Sequence, residues 1–246
     1  MLEAVLLDLD NTLILFDETA FYLRYMERII PFFDDILPGE QFRERLLRGI
    51  RTLRQNNGQT SNQDFFLDVF CEGYMEQRPT VWERFTRFYD TEYEKIPVDV
   101  QRPMGLESVI EQLEGQGLTL VVATNPLFPR IAQEKRMAWA GLDPRRFALL
   151  THLENMRYVK PRQEYYQQIC AMIAVPPDRC LMVGNDRVND MIAGSVGLKT
   201  FLATEAGVID YRAVTKGRDP REGERHPADF SGPLAEVPAV VAQLNR

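Results

Sequence analysis

Four short stretches of this 246-residue chain carry side chains that could do chemistry. Asp8-Leu9-Asp10-Asn11-Thr12 follows an apolar run at residues 4–7, and Thr124-Asn125 follows a second at 118–123. Lys160-Pro161 lies a loop beyond a third at 147–150, and Gly184-Asn185-Asp186-Arg187-Val188-Asn189-Asp190 follows a fourth at 180–183. Taken singly, each has a plainer reading. An Asp-x-Asp after a strand is a solvated turn or a nucleophile beside a second acid. Thr-Asn can cap the next helix. Lys-Pro alone says little, and Gly-Asn-Asp is a good turn sequence. Together they place two acids, a threonine, a lysine and a second acidic cluster at strand ends, where open parallel sheets build their sites.

The elements that must position these residues are legible as a pattern. The four apolar runs, with a fifth at 199–202, are short and apolar on both faces. Helical patterns at 106–113 and 164–173 separate them. That alternation predicts a parallel sheet covered on both sides, an α/β three-layer Rossmann-like core. Residues 15–97 differ. Phe21, Tyr22, Tyr25, Met26, Ile29 and Ile30 repeat at helical spacing, as do Phe42, Leu46, Ile50 and Leu53. Ser61 to Asp64 is an N-terminal capping signal, and Pro79 suits the first turn of a further helix. Sixteen of the 25 aromatic residues lie between Phe16 and Tyr93, so a separate all-helical unit is expected after the first strand. The expected division is residues 1–14 and 98–246 as core, with 15–97 as the helical unit. Arg43, Arg45, Arg48, Arg51 and Arg54 spread around one helix and read as a solvated face. The polar stretch 206–226 reads as a surface loop before a last strand and helix near 228–244.

Composition narrows the function classes. Hydrophobic residues make up 45% and charged residues 26%, the mix of a globular chain that can bury its own core. The formal charge of −7 disfavours general nucleic-acid binding. No apolar stretch is long enough for a membrane span and no signal peptide is evident, so a cytoplasmic protein is expected. Cys71, Cys170 and Cys180 lack CxxC spacing and read as reduced thiols. His152 and His226 stand far apart, so a histidine base is not expected.

The ordered set of Asp8–Thr12, Thr124, Lys160 and Gly184–Asp190 resembles the four motifs of the haloacid dehalogenase-like (HAD) hydrolase superfamily. The resemblance spans essentially the whole chain, and the helical insertion is similar to the cap such proteins carry between motifs one and two. It implies a Mg²⁺-dependent phosphatase acting on a small phosphorylated metabolite, the cap shaping substrate choice. Asp8 would be the nucleophile that forms an aspartyl-phosphate. Asp10 would protonate the leaving oxygen and then activate water. Thr124, Asn125 and Lys160 would bind the phosphoryl group, with Thr12 and Asp190 in support. Asp8, the main-chain carbonyl of Asp10 and an acid of the fourth motif would hold Mg²⁺.

One departure concerns that acid. The fourth motif often places an acid directly after its glycine, where this chain has Asn185. Either Asp186 or Asn185 can be aligned as ligand. A hard cation gains more from a carboxylate, which favours Asp186. Asp190 is expected to bind the metal through water or to hold Lys160. Competing readings are a haloacid dehalogenase, a phosphomutase, and a catalytically idle binding protein on the same fold. A dehalogenase needs neither metal nor second aspartate, since halide leaves without a proton. A signalling receiver domain is about half this length and carries its acid in mid-chain.

Overall fold

The computed structural model describes residues 1–205 and 224–246. Six strands form one sheet: β1 (Ala4–Leu7), β2 (Thr119–Val122), β3 (Leu149–Leu150), β4 (Cys180–Gly184), β5 (Lys199–Ala203) and β6 (Phe230–Gly232). Their order is β3-β2-β1-β4-β5-β6, and every neighbouring pair is parallel. β1 is therefore central, with β2 and β4 on either side. Its four residues are fully buried, which is why they read as a continuous apolar run rather than an alternating one.

Helices α5 (Leu106–Gly115) and α8 (Val237–Leu244) cover one face, where Val5, Leu7, Leu120 and Val122 point. Helix α7 (Gln163–Ile173) covers the other, packing Tyr165, Tyr166 and Ile169 against Ala4, Leu6, Val121 and Met182. This is the three-layer α/β arrangement the alternation predicts. The third strand is shorter than its apolar run, because the Asp143-capped turn Pro144–Arg146 occupies the approach to it. The last strand and helix fall where expected. Of the polar stretch before them, residues 206–223 lie outside the described residues.

The insertion, whose residues are all described, has no strand and is built on four helices, α1 (Glu18–Ile29), α2 (Gly39–Thr52), α3 (Asn62–Phe70) and α4 (Arg78–Thr91), joined by 3₁₀ turns and short loops. Asp17 caps α1 by accepting from the Ala20 N–H at 2.9 Å, and Ser61 caps α3 by accepting from Asp64 N–H at 3.0 Å. Its aromatic core joins Phe33, Phe42, Phe70 and Phe85. That core continues into Phe128, Ala132, Leu153 and Val159 of the α/β part. The two connecting chains meet as a bridge, Leu15 and Gln101 exchanging backbone hydrogen bonds of 2.9 Å each. Two of the α2 arginines do more than face solvent. Arg45 donates to the carbonyls of Phe70 and Glu72, and Arg48 donates to that of Val69, so both tie down the C-terminal end of α3.

Candidate active site

The carboxyl ends of β1, β2 and β4 converge on a pocket of about 110 Å³. Asp8 leaves β1 with its N–H donating to the Val183 carbonyl at 2.9 Å, so the first acid sits beside the end of β4. A tight turn follows, in which the N–H groups of Thr12, Leu13 and Ile14 all reach the Leu9 carbonyl. Asn11 adopts a φ of 57°, a conformation asparagine tolerates. Its side chain accepts from Phe16 N–H at 3.2 Å and donates to Glu18 at 2.6 Å, fixing the start of α1 over the site.

Lys160 is buried between two acids. Its Nζ donates to Asp8 Oδ1 at 2.7 Å and to Asp190 Oδ1 at 2.5 Å. Burial works against its charge, but the two carboxylates outweigh burial and hold the ammonium above its ordinary range. Asp8 is pushed upward, chiefly by burial, with Lys160 opposing and the Asp190 and Asp10 charges adding. Of the two expectations for Asp190, the structure shows the contact with Lys160. Asp190 Oδ2 also accepts from Asp186 N–H at 3.0 Å. Gly184 makes this possible, since a Cβ there would lie 2.3 Å from Asp190 Oδ2.

Thr124 is buried at the end of β2, its carbonyl pinned by the Thr151 hydroxyl at 2.7 Å and the Tyr165 hydroxyl at 2.8 Å. Asn125 Oδ1 accepts from Lys160 N–H at 3.3 Å, tying this strand end to the lysine loop. Thr12 donates weakly toward both Asp8 Oδ2 at 3.4 Å and Asn185 Oδ1 at 3.5 Å. Those two oxygens therefore lie around one hydroxyl. The Asp186 carboxylate is engaged differently. It accepts from Val188 N–H at 2.7 Å, Asn189 N–H at 3.0 Å and Asn189 Nδ2 at 3.1 Å, so it organises its own loop. His152 pairs with Glu154 at 2.8 Å and does not line the acidic pocket.

Two residues joined to the site, Arg136 and Glu18, were not singled out from sequence, and a third, Tyr22, was read only as a packing aromatic of its helix. Arg136, on α6 (Arg130–Trp139), is 1% exposed and forms an ion pair with Asp10. It also donates to the Tyr93 hydroxyl at 2.8 Å, and its guanidinium lies 4.4 Å from the Phe128 ring centroid. A signal existed: Arg136 shares the buried face of α6 with Ala132 and Met137. Glu18 lines the pocket, and burial together with the Asp10 charge pushes its carboxyl up to about 7. Tyr22, on the same helix, closes the pocket beside Leu127 and Phe128.

The pocket lining holds five acids, Asp8, Asp10, Glu18, Asp186 and Asp190, against the single lysine. That balance would repel an anionic substrate unless a cation accompanied it. Among the described residues, no three His, Cys, Asp or Glu side chains converge to hold a metal by themselves. The weakly engaged oxygens of Asp8 and Asn185 instead make a sparse, all-oxygen donor pair. Such a pair fits Mg²⁺, which keeps several waters and shares its sphere with phosphate.

A three-layer α/β fold on a parallel sheet, with an acid at the end of its central strand paired to a buried lysine, is the class of architecture this chain presents. The chain belongs to the haloacid dehalogenase-like hydrolase family, whose model matches residues 2–196. Solved structures agree in fold. A HAD phosphatase from Thermococcus onnurineus superposes with a TM-score of 0.56 and 19% identity, covering 98% of each chain. A 2-haloacid dehalogenase from Pseudomonas syringae pv. Tomato DC3000 gives 0.61 and 18%, covering 99% of this chain and 100% of its own. The HAD hydrolase YfnB from Bacillus subtilis, solved bound to magnesium, gives 0.52 and 19%, covering 98% of each. No match was found among curated proteins. No described helix is long and apolar enough to cross a membrane.

Proposed function

We propose that the protein is a Mg²⁺-dependent phosphatase of small phosphate monoesters, with residues 15–97 acting as a cap over the site. The observation that carries this reading is Asp10: a second carboxylate lines the same pocket two residues after Asp8. Displacing an alkoxide from phosphorus needs a proton, and displacing halide does not.

Asp8 attacks phosphorus as the bond to the leaving oxygen breaks, and Asp10 gives that oxygen its proton. Asp10 Oδ2 is held by Arg136, while Oδ1 is buried without a hydrogen-bond partner among the described residues and is the oxygen placed to carry a proton. Asp10 then takes a proton from water as the water oxygen attacks the aspartyl-phosphate. Phosphate leaves and the Asp8 carboxylate is restored. Lys160 holds Asp8 in line and offsets phosphoryl charge, with Thr124 and Asn125 at the phosphoryl oxygens. Asp8, the Asp10 main-chain carbonyl and Asn185 would hold Mg²⁺, which supplies charge neutralisation. The three donors already engaging the Asp186 carboxylate favour Asn185 over Asp186.

One observation favours a second reading. The ion pair with Arg136 occupies half of the Asp10 carboxylate, and a dehalogenase would make no demand on it. Turnover of an activated aryl phosphate and of a 2-haloacid, each with Mg²⁺ and with chelator, decides between them. The phosphatase reading requires aryl phosphate hydrolysis that chelator abolishes and Mg²⁺ restores. Haloacid turnover indifferent to chelator, with no phosphate released, would replace it.

A further inference from the structure

Directly beside the acidic pocket lies a second cavity, of about 240 Å³, enclosed by α1, α2, α3 and α4. Tyr22, Leu127 and Phe128 line both, so the two spaces share a wall. The rest of the chamber is built from groups such as Met26, Ile50, Phe66, Trp82 and Phe85, and no charged residue lines it. Two of its tyrosine hydroxyls, those of Tyr25 and Tyr89, bond each other at 2.7 Å, which satisfies part of their polar capacity within the wall. Tyr22 and Leu47 both line the chamber and keep 36% and 42% of their surface uncovered.

We infer that this chamber receives the leaving group, and that the substrate class is phosphate monoesters of aryl or longer alkyl alcohols. The inference rests on the phosphatase reading and adds the identity of the alcohol. A sugar or short polyol would leave its hydroxyls unpaired against these walls, which costs affinity. An apolar cavity of about 150 Å³ suffices for a benzene ring, so this one accommodates a substituted ring or a chain of several carbons. The phosphoryl end cannot enter the uncharged chamber, and the apolar end gains nothing among five carboxylates. With Tyr22, Leu127 and Phe128 common to both linings, an ester lying across them is oriented phosphoryl end toward the carboxylates and apolar end toward the chamber.

The test is calorimetric binding of methyl-, butyl- and hexylphosphonate in Mg²⁺, and of 1-naphthol alone, to the wild type and to Ile50→Trp, which fills the chamber. Each added methylene is expected to tighten phosphonate binding by roughly two- to fourfold until the chamber is full. Ile50→Trp is expected to reduce the hexyl-over-methyl preference to under twofold and to weaken naphthol binding at least tenfold. Equal affinity for methyl and hexyl in the wild type overturns the inference, whether or not Ile50→Trp folds. So does an unaltered preference in a folded Ile50→Trp. Hydrolysis of the matching esters is measured in parallel. Naphthol binding lost in Ile50→Trp, with no ester turned over, sinks the phosphatase reading and leaves the chamber standing. Turnover of methyl and hexyl phosphate with equal kcat/KM sinks the chamber and leaves the phosphatase.

Discussion

The Arg136 guanidinium reaches the Asp10 carboxylate from a position 126 residues away in the chain, with 1% of its own side chain exposed. Tyr93 from the helical insertion and Phe128 from the loop before α6 complete its surroundings. The orientation of Asp10 is thus set jointly by the α/β core and the insertion.

If Asp10 carries the leaving-group proton, Asp10→Asn should lose more rate on alkyl phosphates than on activated aryl phosphates, by about 10²-fold. Arg136→Lys keeps the charge but loses the planar fork, and should show the same bias more weakly. A leaving-group series with equal losses throughout would count against the proton role.

Asn185→Ala should raise the Mg²⁺ concentration needed for half-maximal activity by about tenfold or more. Asp186→Asn should leave that requirement near the wild type while costing about 1–2 kcal/mol of stability, because its loop loses a charged acceptor. Magnesium titrations of both, with thermal melts as a check on folding, give the answer. The reverse pattern would return the ligand role to Asp186.

Most of the scaffold was legible because it rests on local signals. Apolar runs marked β1, β2 and β4, and Ser61 and Pro79 marked starts of helices. Asp8, Asp10 and Thr124 were visible because each follows a strand, whose end is a place with known chemical use, and Lys160, a loop beyond β3, was visible only as a member of the ordered set. Arg136 was only half visible: its place on the buried face of α6 follows from helical spacing, but its partner does not, because no spacing rule spans 126 residues. The Asn185–Asp186 choice was equally opaque. Carboxylate and amide differ in donor strength on paper, but the Val188 and Asn189 amides decide where the Asp186 carboxylate goes.

Gly184→Ala should behave as a site mutation despite changing no polar group. The added methyl would lie 2.3 Å from Asp190 Oδ2, so Asp190 must move and Lys160 loses a partner. We expect kcat to fall by about 10²-fold, with a stability loss of about 1–3 kcal/mol from the overpacking. Activity within threefold of wild type would show that Lys160 does not depend on Asp190.

Glu18 gives a pH signature in the metal-free protein. Its carboxyl is held near 7 in the fold, above an ordinary value of 4.5, so folding disfavours the ionised form. That penalty is absent below the unfolded value, grows as pH rises between the two, and is complete above about 7. Glu18→Gln removes it. In chelator the variant should match the wild type near pH 4 and be more stable by roughly 1–3 kcal/mol at pH 8. Denaturant melts showing no gain at pH 8 would contradict this environment for Glu18.

The central claim is that Asp8 attacks phosphorus. The most direct measurement is acid-quenched turnover of an aryl phosphate in Mg²⁺, followed by mass mapping of the peptide that contains Asp8. The account predicts one phosphoryl group on Asp8, formed within the first turnover, absent in chelator and absent in Asp8→Asn. Phosphate release at the wild-type rate by Asp8→Asn, with no phosphoryl group on the wild-type peptide, would contradict it.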